Sequence, residues 1–92
     1  MFDKYIVFTG VHPITTEYEE MKKQGYAGMF DVYKEGTHTL YEFPNGVEAS
    51  LIHFPHQTGM FSWTYEVMAD GEICRPKTIE DVNKLLVILM NT

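Results

Sequence analysis

The alternation of apolar and polar positions divides the chain into a strand, a short helix, a run of hairpins and a second helix. Tyr5-Ile6-Val7-Phe8, within Lys4 to Thr9 and closed by Gly10, is β-branched or aromatic throughout and predicts a buried, central strand. Thr16 with Glu19 three residues on has the form of a capping box. Glu17, Glu19 and Glu20 suit a helix N-terminus, while Lys22, Lys23 and Gly25 suit its end, so a short helix is expected over residues 16–24. Its apolar positions are only Tyr18 and Met21, with Ile14 just ahead, which leaves one narrow stripe facing inward.

From Met29 to Arg75 the punctuation becomes Glu35-Gly36, Pro44-Asn45-Gly46, Pro55 to Gly59 and Asp70-Gly71, the spacing of an antiparallel meander of about five strands. The turn chemistry also sets registers. Pro44 suits the first corner of a type I turn and Gly46 the left-handed position after it, giving a three-residue loop that sets Phe43 against Val47, Tyr41 against Ala49 and Thr39 against Leu51. One face of that hairpin is then mostly apolar, as a buried face requires. Read as a two-residue loop, Glu35-Gly36 places Val32 opposite Thr39 and Phe30 opposite Tyr41. Asp70-Gly71 likewise pairs Val67 with Cys74 on the face of Phe61, Trp63 and Tyr65, and Glu66 with Arg75 on the other. The last element begins at Thr78, with Asp81 in capping position. It carries Ile79, Val82, Leu85, Leu86 and Leu89 on one face, so a helix is expected over residues 78–90.

These elements predict a two-layer α+β domain over residues 1–92, ordered β-α-β-meander-α. Its sheet is largely antiparallel, of about five to six strands, with two helices on one face. The 45% hydrophobic and 14% aromatic content is that of a chain able to bury a core, and no repeat or low-complexity linker marks a second domain.

Charge narrows the partners. Thirteen acidic against seven basic residues give a formal charge of −6, which repels phosphate backbones and disfavours direct nucleic-acid binding. The acids are spread along the chain with no run longer than Glu19-Glu20, which weakens the alternative of a nucleic-acid-mimicking inhibitor. Cys74 is the single cysteine, Met1 to Tyr5 lack the pattern of a secretory signal, and the longest apolar run, Leu85 to Met90, is far too short to span a bilayer. The expectation is a cytoplasmic protein with no membrane partner.

Candidate chemistry is sparse. Cys74, near Arg75 and Lys77, has the charges that would activate a nucleophile, but the register makes it a small apolar residue packed under Trp63 and Val67. His53 and His56 stand three apart and, with His12, form the weak alternative of a metal or small-ligand site. Pro55 between them breaks the helix on which such spacing serves a metal best, so neither metal nor cofactor is expected. The alternation Phe61, Trp63, Tyr65 resembles a base-stacking platform, but no basic residue lies between Lys34 and Arg75 to hold a phosphate, so core packing is expected. No phosphate loop, nucleophile elbow or Ser-x-x-Lys pair supports catalysis.

The outward face of the first three meander strands remains, carrying Asp31, Tyr33, His38, Leu40, Glu42, Glu48, Ser50 and Ile52. Glu42 falls opposite Glu48, and Leu40 and Ile52 place carbon beside them, a mixture suited to a protein-binding patch. Val87 and Ile88, on a helix terminus apolar all round, offer a second contact, with a homodimer or with another protein. The expected role is a small acidic non-catalytic binding module, in the manner of the inhibitors, adaptors and accessory factors that include phage and mobile-element products.

Overall fold

The computed structural model describes residues 2–25, 33–56 and 64–92. Among the described residues five antiparallel strands run in sheet order identical to chain order: β1 Ile6–Val11, β2 Thr37–Glu42, β3 Glu48–His53, β4 Tyr65–Ala69 and β5 Glu72–Cys74. Helix α1, Pro13–Lys23, links β1 to β2 in sequence, and helix α2, Ile79–Met90, closes the chain. The fold is thus α+β with a wholly antiparallel sheet.

Two turns set the central registers as their chemistry requires. Gly46 takes φ 86°, and Phe43 N donates to the Val47 carbonyl at 2.9 Å, so Tyr41 pairs with Ala49, Thr39 with Leu51 and Glu42 with Glu48. Asp70 and Gly71 both hold positive φ, 52° and 79°, the geometry of a two-residue hairpin turn, and Val67 pairs with Cys74.

Alternation along these strands gives the sheet two unlike faces. One carries Ile6, Tyr41, Ala49 and Val67, packed with Phe2 and Phe43 beneath Val82 and Leu86 of α2, whose exposures are 0% and 1%. Helix α2 begins where Thr78 Oγ1 accepts from Asp81 N at 3.1 Å, with Glu80 and Asp81 in the first turn to match the helix dipole. A separate small cluster sits at the end of the sheet under α1. There the buried Thr15 Oγ1 accepts from Gly36 N at 3.0 Å and donates to the Tyr33 carbonyl at 2.6 Å, beside the buried Tyr18 and Phe54.

Several expectations are corrected. Among the described strands β1 lies at the edge of the sheet and is largely exposed, not central and buried. A register shift between Ile6 and Phe8 explains why its uniform apolar run misleads: the bulge sends Ile6 to the core and Phe8 to the opposite face, although residues two apart normally share a face. Helix α1 starts at Pro13 rather than at Thr16, because proline's fixed φ suits the first helical position and His12 Nδ1 supplies the cap, accepting from Ile14 N at 3.1 Å. Phe30 and Val32 lie outside the described residues. The positions expected beside them, Tyr41 and Thr39, pair instead with Ile6 and Thr9 of β1 on that side. Cys74 has the expected register but is exposed, since β5 is the other edge of the sheet. Its supposed cover, Trp63, lies outside the described residues with Phe61.

Candidate functional site

The face of the sheet opposite α2 is built by the same pairings. Phe8 pairs with Leu40, Leu40 with Ser50, Ser50 with Met68 and Met68 with Ile73, a straight row through all five strands. Four of the five are apolar, and three are solvent-exposed: Phe8 at 50%, Met68 at 48% and Ile73 at 56%. Apolar side chains scattered singly on a surface need no explanation, whereas large contiguous apolar patches mark contact surfaces.

The neighbouring rows give this stripe unequal flanks. On one side Glu42 and Glu48 stand opposite each other, and Asp70 occupies the adjacent turn. Leu40, Glu48, Ser50, Met68 and Asp70 line one shallow depression of about 460 Å³, floored by the small Ser50 between the larger Leu40 and Met68. On the other side lie Gly10, His38, Ile52 and Glu66. Glu66 is held by Arg75, Nε to Oε2 at 3.2 Å, across the β4–β5 hairpin. His38 Nε2 lies 2.7 Å from Ser50 Oγ, which fixes the serine at the centre of the row, and the Phe8 ring packs edge-on at 6.0 Å from the His38 ring. A Cβ at Gly10 would come within 3.2 Å of the half-exposed Phe8 ring, which would have to shift slightly to admit it.

The expected contact residues divide into three groups. His38, Leu40, Glu42, Glu48 and Ile52 do share this face, together with Ser50. Tyr33 is placed elsewhere, in the cluster under α1 with its ring 5.7 Å from that of Phe54, and Asp31 lies outside the described residues. Val87 and Ile88 are exposed on the last turn of α2, across the sheet from the row.

The histidines of the metal alternative have separate surroundings. His12 packs its ring 5.1 Å from Phe54 and 6.1 Å from His38, and burial, reinforced by the His38 charge and opposed by Glu66, lowers its pKa from the usual 6.5. His53 points to the α2 face, stacked on Tyr65 at 4.4 Å, and burial lowers its pKa too. His56 Nε2 lies 3.1 Å from Glu35 Oε2. Among the described residues no three His, Cys, Asp or Glu side chains are grouped to hold a metal, and no helix is long and apolar enough to cross a membrane.

Sequence reasoning missed Phe8, Met68 and Ile73. Extending the Asp70-Gly71 register would have placed Met68 and Ile73 beside each other on the face of Glu66, whereas nothing in the local pattern announces the bulge that turns Phe8 outward. No protein-family model, curated protein or solved structure matches the chain.

Proposed function

We propose that this protein is a non-catalytic binding module that engages another protein through the sheet face opposite α2. The observation that carries this reading is the row Phe8, Leu40, Ser50, Met68 and Ile73, paired in register across the five strands and exposed at Phe8, Met68 and Ile73.

Covering a half-exposed apolar side chain stabilises a complex by about 1 kcal/mol. The three half-exposed members, Phe8, Met68 and Ile73, therefore supply only about 3 kcal/mol, below the roughly 4–15 kcal/mol that association costs in lost freedom. The row acts as the anchor of a contact and the charged residues beside it complete the interaction.

A comparison of proteins retained from host lysate tests the reading. Leu40→Ser with Met68→Ser keeps the fold, because both side chains face away from the α2 core, and loses a protein that the wild type retains. Ile79→Ser, at an exposed position on α2, retains it. Equal retention by the wild type and the double variant overturns the proposal.

A further inference from the structure

We infer that the occupant of this face is a basic amphipathic helix, lying along the row with arginine or lysine side chains over Glu42, Glu48 and Asp70. The inference rests on the binding role proposed above and names the chemistry of the partner.

Glu42 is two residues beyond Leu40, Glu48 two before Ser50 and Asp70 two beyond Met68, so the acids flank the apolar row on one side. The two stripes are separated by about 7 Å, twice the rise of a strand residue. Among the described residues none of the three acids makes an ion pair, and the chain from 35 to 74 contains no lysine or arginine. The opposite flank differs: Glu66 is already neutralised by Arg75, and His38 is committed to Ser50. One apolar stripe with one acidic flank is the complement of a helix bearing one apolar stripe and one basic flank.

The dimensions agree. Four strand spacings from Phe8 to Ile73 span about 19 Å, the length of a helix of about 13 residues. Ser50 leaves the depression between Leu40 and Met68, which stand about 10 Å apart, two strand spacings. An arginine or lysine stem, or a leucine, enters there, and a cationic head then reaches Glu48 and Asp70 on the rim. A second copy of this chain fits less well, because each copy carries a net charge of −6 and the acidic flank offers no cation to its mate.

The probes are three synthetic 13-residue peptides: one with leucines on one helical face and four arginines along one flank, one with glutamates replacing the arginines, and one with the first composition scrambled. Binding is measured by titration, with the methyl signals of Leu40 and Met68 followed by NMR. The arginine peptide shifts both methyls and binds at least tenfold more tightly than either control. Glu42→Gln, Glu48→Gln and Asp70→Asn together weaken it at least tenfold with the circular dichroism spectrum unchanged, asparagine being chosen because it tolerates the positive φ of residue 70. Ser50→Leu, which fills the depression while adding apolar surface, also weakens it tenfold, whereas general hydrophobic attraction would tighten it.

Equal binding of the arginine and glutamate peptides, or shifts confined to α2, overturns the inference. So does a wild-type dimer, seen by light scattering, that Leu40→Ser with Met68→Ser converts to a monomer. If the glutamate peptide shifts Leu40 and Met68 as strongly as the arginine peptide does, the basic partner is wrong but the face still binds. Failure of the face itself is read from the lysate comparison.

Discussion

Asn45, at the tip of the β2–β3 turn, donates its side-chain amide to the Leu89 carbonyl at 2.9 Å, tying the hairpin to the end of α2 across 44 positions of sequence. The same nitrogen lies 3.0 Å from the carbonyls of Met90 and Thr92, and the side-chain oxygen accepts from Val47 N at 3.0 Å. One asparagine therefore both shapes the turn and satisfies carbonyls that a helix C-terminus otherwise leaves unpaired. Asn45→Ala should cost about 1–2 kcal/mol. Amide exchange of residues 88–92 should rise more than that of residues 79–86; a uniform change along α2 would show that the tie does not act locally.

Two residues of α2 only two positions apart should respond very differently. Leu86, 1% exposed beneath the sheet, loses about 2–5 kcal/mol on change to alanine through lost burial and the cavity left. Ile88, 63% exposed, changes stability by less than about 0.5 kcal/mol on the same substitution. Urea titration of both variants checks the contrast, and equal losses would place Ile88 in a contact made in solution.

Gly36 closes the cluster under α1. A Cβ there would overlap the Phe54 ring and Thr15 Oγ1, so Gly36→Ala should destabilise by about 1–3 kcal/mol through overpacking. Thr15→Val keeps the shape but leaves the Gly36 N–H without its acceptor, at about 1–3 kcal/mol. Thermal unfolding of the two single variants and the double variant measures their coupling. Fully additive losses would contradict a shared cluster.

Acid should weaken the start of α1. Well above pH 6.5 His12 is uncharged in both the folded and unfolded states. Its folded-state pKa is lowered from 6.5, mainly by burial, so as pH falls below 6.5 the unfolded chain takes up a proton that the folded one resists. Stability therefore declines from about pH 6.5 downward until the folded-state pKa is passed, and His53, shifted the same way by burial, adds to the loss. Protonation of His12 at Nδ1 also removes the acceptor for Ile14 N, a cap of about 1 kcal/mol. His12→Asn keeps a cap and does not titrate, so its melting temperature should fall less between pH 7.5 and 5.5 than that of the wild type. An equal fall would remove His12 from the account.

The parts legible in the sequence were those encoded by local turn chemistry. Pro44-Asn45-Gly46 and Asp70-Gly71 each admit one favoured loop, which carries the register of the strands on both sides, and Thr78 with Asp81 marks the start of α2. Which strand returns beside β2 is not local. Glu35 does hold a positive φ of 59° beside Gly36, yet the neighbour of β2 is β1, brought back past α1. Edge position is equally silent: alternation gave Cys74 its correct face, but only the order of strands exposes it. The candidate surface was half visible for these reasons, with Leu40, Ile52, Glu42 and Glu48 read from one hairpin and the outer members of the row supplied by the assembled sheet.

The central claim is that contact is made on the face opposite α2, and site-specific photo-crosslinking tests it most directly. With p-benzoylphenylalanine in place of Met68, irradiation in host lysate should join the chain covalently to another protein, and the same group in place of Ile79 should not. Adducts formed from position 79 and not from position 68 would contradict the account.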